Sequence, residues 1–194
     1  MQLIVRVKQI FDEANLALYL RPYQIIVTSN TSGFMECVPN SISLDGLKKM
    51  FPKRSWKLND FYRRYYYFNY EESVKNFTES LAGYSFFNYL FNVKDRHNGN
   101  ILLTKSGHLV HIDFGFIFTS APGGFNFENA PFKLTSEYMN LMGGPQGEMF
   151  TYFKSLLTKA FFEVRKHIDD LIGIIEVMFT GSNMDGFVRG EVLF

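Results

Sequence analysis

The sequence predicts an α+β fold dominated by helices, on three observations. Apolar residues recur at helical spacing in the opening segment and again toward the C-terminus. Two short apolar runs are each turned back on a partner by a glycine-containing turn. Between these hairpins lies one long segment that is apolar nearly all round, as a buried helix is.

The elements follow in order. Leu3, Ile4, Val7, Ile10 and Phe11 fall on one stripe of a helix over residues 2–13. Pro22 opens a new stretch: Gln24 to Thr28 reads as a strand, Asn30-Thr31-Ser32-Gly33 as a turn, and Phe34 to Val38 as the returning strand. Residues 40–64 are polar and basic, with Lys48, Lys49, Lys53, Arg54, Lys57, Arg63 and Arg64 against only Asp45 and Asp60. Two readings fit that segment: a patch for phosphate or anionic lipid, or an exposed linker helix with solvated charges. Residues 71–91 read as the buried helix, with Val74, Phe77, Leu81, Tyr84 and Phe91 on one stripe and Phe86, Phe87 and Leu90 filling much of the rest. Ile101-Leu102-Leu103, the turn Lys105-Ser106-Gly107 and Leu109 to Ile112 form the second hairpin. A loop with Pro122, Gly123 and Gly124 then runs to Lys133. Helices over 135–142, stopped by Gly143-Gly144, over 148–165 and over 167–179 finish the pattern. The middle one carries Phe150, Phe153, Leu157, Ala160, Phe161 and Val164 on one side.

Composition narrows the function classes. The 194 residues are 46% hydrophobic and 20% charged, which is the profile of a folded chain. A net charge of +1 does not imply bulk electrostatic binding to nucleic acid, and no nucleic-acid partner is expected. The single cysteine, Cys37, excludes a disulfide framework and a cysteine zinc cluster. The N-terminus has no signal-peptide pattern and no apolar run reaches ~18 residues, so the expectation is a cytosolic chain that at most lies on a membrane surface. Aromatic residues make up 18%, enough for large core contacts or for a surface that meets a further segment or a membrane.

The chemistry concentrates in Lys94-Asp95-Arg96-His97-Asn98-Gly99-Asn100 and in Asp113-Phe114-Gly115. Phosphoryl transfer needs a divalent metal held by oxygen ligands against the phosphates, and a group that accepts the proton of the attacking hydroxyl. Asn100 and Asp113 stand at the two open ends of the second hairpin, where an amide and a carboxylate can meet at one point. Protein kinases place the base in His-Arg-Asp, five residues before the metal-binding Asn. Here the order is Asp-Arg-His, with Asp95 five residues and His97 three residues before Asn100.

On these residues the chain resembles the catalytic domain of the phosphatidylinositol 3-/4-kinase superfamily, and within it the type III phosphatidylinositol 4-kinases of the beta class. Val93 to Leu103 and His108 to Phe116 carry the resemblance. Lys94 before Asp95 and Gly99 before Asn100 are typical of the 4-kinases. Leu20-Arg21-Pro22-Tyr23, Gly33-Phe34-Met35-Glu36, Ala82-Gly83-Tyr84, Phe132-Lys133-Leu134-Thr135, Met142-Gly143-Gly144 and Arg165-Lys166-His167 support it. It covers nearly the whole chain, and only 48–66 aligns poorly.

The resemblance implies a protein-kinase-like fold: residues 1–40 as part of an N-lobe, with its helix and hinge hairpin, and 41–194 as a C-lobe truncated at its C-terminus. It implies ATP and Mg2+ or Mn2+, with Asn100 and Asp113 holding the metal. His97 would be the general base toward the inositol hydroxyl, Asp95 would orient it, and Arg96 would brace this catalytic loop rather than touch substrate. Met35 to Val38 would be the hinge, with the Glu36 carbonyl and Val38 amide holding adenine, Cys37 between them and Met35 at the back of the pocket. Leu102 and Ile112 would form its apolar floor. His108 and His111 are read as structural. The partners implied are phosphatidylinositol in a membrane surface and ATP, with adaptors or small GTPases for the full-length protein. The location implied is cytoplasmic and peripheral on intracellular membranes, the Golgi among them.

Substrate choice is expected in the loop 116–136. A headgroup already bearing phosphates needs cations to receive it. This loop offers Lys133, beside Glu128, which favours unphosphorylated phosphatidylinositol. Phe116, Phe118, Phe125 and Phe127, with Gly123 and Gly124, either touch the bilayer or pack under the loop. By the same resemblance an ATP-phosphate lysine and its acidic helix partner would precede Met1, and further helices would follow Phe194. The chain therefore reads as a partial catalytic domain, weakly active or inactive alone, and Lys8 sits on the wrong element to replace that lysine. Two other readings stand beside this one. A 3-kinase or related protein kinase is opposed by Lys94 and by the charge-poor loop. A non-catalytic, kinase-like interaction module is opposed by the joint presence of His97, Asn100 and Asp113.

Overall fold

A computed structural model describes residues 1–51, 57–118 and 129–180. The expectations placed on Lys53, Arg54, Pro122, Gly123, Gly124, Phe125, Phe127 and Glu128 lie outside the described residues.

Helix α1 (Gln2–Glu13) buries Leu3, Ile4, Val7, Ile10 and Phe11, the stripe its spacing predicts. It packs on α6 (Glu148–Val164) and α7 (Ile168–Phe179), and Arg6 joins Asp170 at 2.6 Å. Beyond α1 the chain crosses α4 (Tyr70–Leu90) in extended form. Gly83 permits that crossing: a Cβ there would lie 2.6 Å from the Tyr19 carbonyl oxygen. The Arg21 amide donates to the Tyr84 hydroxyl at 3.1 Å and anchors the end of the crossing.

Strands β1 (Ile25–Ser29) and β2 (Ser32–Met35) form the first hairpin, antiparallel with Ile25 opposite Met35 and a bulge between Val27 and Ser29. Every residue of both strands is exposed. Glu36 closes the hairpin base: its amide donates to the Gln24 carbonyl at 2.9 Å and its carboxylate accepts from the Gln24 amide at 2.9 Å.

The second hairpin, β4 (Ile101–Thr104) and β5 (Leu109–His111), gains a third, outer strand, β3 (Ser41–Ser43), giving the order β3-β4-β5. Ile42 faces Leu103 across the ladder. In place of one solvated linker helix, the described residues of 40–64 hold two helices with buried faces, α2 (Leu44–Met50) and α3 (Leu58–Tyr65), which bury Leu44, Leu47, Leu58, Phe61 and Tyr62. Their cations lie outward: Lys48 reaches Glu137 at 3.2 Å, Lys49 reaches Asp45 at 2.7 Å, and Arg63 lies over the Tyr70 ring. Tyr62 and Tyr66 donate their hydroxyls to the Gly107 and Thr104 carbonyls at 2.9 and 2.6 Å, fastening the turn of the β4–β5 hairpin.

Helix α4 is the core axis. Residues 73–74, 77–78 and 80–88 are all buried, and the helix packs most extensively on α6 and also on β5. Its buried hydroxyls are satisfied locally, Thr78 by the Val74 carbonyl and Ser80 by that of Asn76. Ser80 also accepts from the Leu109 amide at 2.8 Å, which ties β5 to the axis. Helix α5 (Ser136–Leu141) starts at Thr135, whose hydroxyl accepts from the Tyr138 amide, and ends at Gly143 and Gly144, both at positive φ. In α6 the buried set is Phe153, Leu156, Ala160 and Val164. Phe161, predicted on the same side, is 47% exposed. At 100° per residue it falls at the border of the stripe and faces an open apolar groove with Tyr89, Leu157 and Phe162.

Candidate functional site

The hairpin β4–β5 brings the two predicted motifs together. Its pairing places Ile101 opposite His111, and the Ile112 amide donates to the Asn100 carbonyl at 3.0 Å, adding one rung beyond the strands. Asn100 and Asp113 therefore leave the same end of the ladder as near neighbours. Asn100 is buried, and its Nδ2 donates to the Asp95 carbonyl at 3.1 Å, which leaves Oδ1 as the acceptor of that amide. Asp113 is exposed, takes a positive φ, and accepts on Oδ1 from the Gly115 amide at 3.2 Å. Tyr23, buried, lies beside it. Burial raises the Tyr23 hydroxyl pKa, the Asp113 backbone lowers it by hydrogen bonding, and the Asp113 and Arg96 charges act on it in opposite directions.

The loop 93–100 is held at both ends. The Lys94 amide donates to the Phe116 carbonyl at 2.9 Å and the Asn100 amide to the His97 carbonyl at 3.0 Å. Asp95 turns the chain at positive φ. Arg96 is buried and its guanidinium points inward. Nε donates to the Lys94 carbonyl at 2.9 Å, one terminal nitrogen to the Ile112 carbonyl at 2.8 Å and the other to the Asp113 carbonyl, with Phe114 beneath the cation. Counted with the catalytic residues from its motif, Arg96 is a brace between the two motifs. Three of its five N–H donors are on backbone oxygens.

His97 is 59% exposed on its side chain. Its Nδ1 accepts from the Gly99 amide at 3.0 Å, and its Nε2 lies 3.8 Å from Asp95 Oδ2. Gly99 leaves room for this fold-back, since a Cβ there would lie 2.8 Å from the imidazole Cε1 and push the ring aside. Asp95, His97, Phe132, Lys133 and Thr135 line one cleft of ≈ 470 Å³. Lys133 bonds to the loop at two points: its ammonium donates to the Arg96 carbonyl at 2.9 Å and to Asn98 Oδ1 at 2.8 Å.

The donor chemistry fits magnesium arriving with phosphates. Asn100 and Asp113 offer one amide and one carboxylate oxygen, hard donors of the kind that hold this ion while substrate oxygens complete its shell. Among the described residues no group of three His, Cys, Asp or Glu side chains could hold a metal unaided.

The residues expected to form a hinge, Met35 to Val38, lie at the periphery of the described chain. Met35 is 56% exposed on β2, over which the described chain lays no layer. Glu36 and Cys37 are exposed, and the Val38 carbonyl accepts from the Ser41 hydroxyl at 2.7 Å. Leu102 and Ile112 are half-buried, Leu102 against the main core. His108 and His111, read as structural from the sequence, have structural surroundings. His111 stacks on Tyr84 at 4.4 Å and meets Asn88 Nδ2 at 3.2 Å, and burial, then the Arg96 and Lys133 charges, holds it neutral well below the usual histidine range. His108 stacks on Tyr19, and burial lowers its pKa to about 4. Sequence reasoning missed the double contact of Lys133 and the Tyr23 hydroxyl beside Asp113. The one available signal was that Lys133 stands in a charge-poor loop.

Comparison with known proteins adds a family. The model for the family "Phosphatidylinositol 3- and 4-kinase" matches residues 42–185. The chain is 47% identical over 193 residues to "Phosphatidylinositol 4-kinase" of Dictyostelium discoideum, covering 98% of the chain and 16% of that protein. It is 44% identical over 184 residues to "Phosphatidylinositol 4-kinase beta 1" of Arabidopsis thaliana, covering 91% and 16%. It is 42% identical over 190 residues to "Phosphatidylinositol 4-kinase beta" of Danio rerio, covering 96% and 22%. The chain thus spans less than a quarter of the length of the curated relatives it matches.

Proposed function

The chain belongs to the phosphatidylinositol 3- and 4-kinase family, and we propose that it supplies the catalytic loop and metal-binding end of an enzyme that transfers the ATP γ-phosphate to the 4-hydroxyl of phosphatidylinositol. The observation that carries this reading is the extra rung at 3.0 Å between Ile112 and Asn100, which brings Asn100 and Asp113 to the same end of the hairpin, next to the loop of His97. In this reading residues 1–40 contribute the N-lobe side with the hinge at Met35 to Val38, and the C-lobe begins at 41.

Asn100 Oδ1 and Asp113 are the residues that would hold magnesium, which when bound draws negative charge from the phosphates. His97 acts on the attacking hydroxyl. In the present arrangement Nε2 faces the Asp95 carboxylate and carries the proton, so the lone pair available to a substrate is that of Nδ1, which the incoming hydroxyl takes over from the Gly99 amide. The hydroxyl oxygen then bonds to the γ-phosphorus, the bond to the bridging oxygen breaks, ADP leaves, and the proton passes to Nδ1. Asp95 steadies the imidazolium that results, and Arg96 keeps the two motifs in one frame.

The relatives named as 4-kinases favour position 4, and the charge-poor segment after Asp113 favours an unphosphorylated headgroup. No described helix is long and apolar enough to cross a membrane. The reading has the lipid met at a membrane surface. We place that surface on intracellular membranes, the Golgi being the one the resemblance implies. Phosphatidylinositol vesicles, labelled ATP and magnesium supplied to the protein that carries this chain test the reading: label at position 4 is expected, and label at position 3 or on protein serine overturns it.

A further inference from the structure

We infer that Lys133 is a positioning residue for His97, an inference that rests on the proposed phosphoryl-transfer role of that histidine. The Lys133 ammonium donates to the carbonyl of Arg96 and to the side chain of Asn98, the residues immediately before and after His97 in the chain. The imidazole has a light hold of its own, with the Gly99 amide on one nitrogen and a carboxylate at 3.8 Å from the other. Most of the restraint on its direction therefore comes from the backbone on either side, and one cation fixes both sides. That cation is itself well founded. Lys133 lies two residues before Thr135, which caps α5 through the Tyr138 amide at 3.3 Å, and α5 packs on α3. Lys133 and Thr135 line the same cleft as Asp95 and His97. The position of the segment entering α5 is thus passed to the base across 35 residues of sequence.

The Lys133 ammonium is engaged by two oxygens of the catalytic loop, where it can orient the base.

Lys133→Met in the protein that carries this chain, assayed with phosphatidylinositol in phosphatidylcholine vesicles, tests the inference. The expected result is a fall in kcat of roughly 10²-fold, the cost of a misplaced catalytic group, with the KM for lipid and for ATP within about twofold of wild type. Lys133→Arg, which keeps the charge and two donors, should recover most of the loss. Asn98→Ala should lower kcat by about tenfold, and the double variant should lose no more than Lys133→Met alone, since both break one clamp. Unchanged kcat, a loss confined to the lipid KM as for a phosphate ligand, or losses that multiply would each overturn it. Should Lys133→Met fail to fold, Asn98→Ala and Lys133→Arg still decide. The His97 ring resonances, read by nuclear magnetic resonance on the 194-residue chain, need no turnover. They should shift or broaden in Lys133→Met, and identical spectra refute the clamp. Wild-type protein that makes no phosphoinositide defeats the functional reading instead, and the spectra remain decisive for the clamp.

Discussion

Arg96 donates to the carbonyl of Ile112 at 2.8 Å, so a side chain from the loop of His97 holds the strand end that carries Asp113. Arg96→Met would leave the partly buried carbonyls of Lys94, Ile112 and Asp113 without this donor. At about 1–3 kcal/mol for each unsatisfied group, partly relieved by water, the expected cost is about 3 kcal/mol. Urea unfolding of the two proteins measures it, and a difference under about 1 kcal/mol would show that the brace is ornamental.

His97→Ala should separate catalysis from stability. The side chain is 59% exposed, so stability should change by less than about 0.5 kcal/mol. The rate of lipid phosphorylation should fall by roughly 10²- to 10⁴-fold, as expected for loss of a general base. Parallel thermal melts and single-turnover assays read the two quantities, and near-normal turnover in the variant would remove His97 from the mechanism.

Asp113→Ala should abolish metal-dependent nucleotide binding. ATP with magnesium should raise the melting temperature of the wild-type protein, and EDTA should cancel the increase, because a ligand bound to the native state stabilises it by mass action. The variant should show no increase under either condition. A nucleotide effect that is the same with and without magnesium would contradict the pairing of Asn100 with Asp113.

Gly83→Ala should destabilise although alanine is the better helix former by ~1 kcal/mol. The new Cβ would meet the Tyr19 carbonyl oxygen at 2.6 Å, and backbone cannot yield as a flexible side chain does. A net loss of roughly 1–3 kcal/mol is expected from overpacking. Denaturant titration checks the sign, and a stabilised variant would mean that the crossing over α4 is looser than described.

Stability should decline on mild acidification. His108 titrates at about 4 in the folded protein, lowered by burial from 6.5. The unfolded chain therefore binds the proton more readily over that interval, and stability falls as the pH drops through 6.5 and levels off below 4. Partial exposure of the ring limits the loss to the order of 1–2 kcal/mol. His108→Gln should flatten the part of the slope owed to this ring, leaving the part owed to His111, which is also held neutral by burial. An unchanged slope in that variant would place the effect elsewhere.

Helices were legible wherever periodicity and burial coincide, as in α1 and in the all-round apolar α4. Strand β3 was not, because Ser41-Ile42-Ser43 has a single apolar centre and pairs only when the distant β4 is present. In α2 and α3 a run of cations conceals Leu44, Leu47, Leu58 and Phe61, which stand three apart and bury an inner face. The border position of Phe161 on α6 was likewise invisible to spacing alone. At the site, the neighbourhood of Asn100 and Asp113 was readable because a short hairpin joins them in sequence. A bracing role for Arg96 was implied by the resemblance alone, and no local pattern showed that its guanidinium turns inward. The grip of Lys133 on Asn98 was not readable either, since contacts across 35 residues leave no local pattern.

Tyr62 and Tyr66 grip the turn of the β4–β5 hairpin, while Ile112 and Asn100 close its other end. A ribbon fastened at both ends cannot slide along itself by one residue without breaking every one of these bonds. Such a slip would send alternate side chains to the opposite face and separate the amide from the carboxylate. The aromatic segment on the far side of the sheet, which touches no reacting atom, thereby acts as a ratchet pawl for the chemistry at the near side.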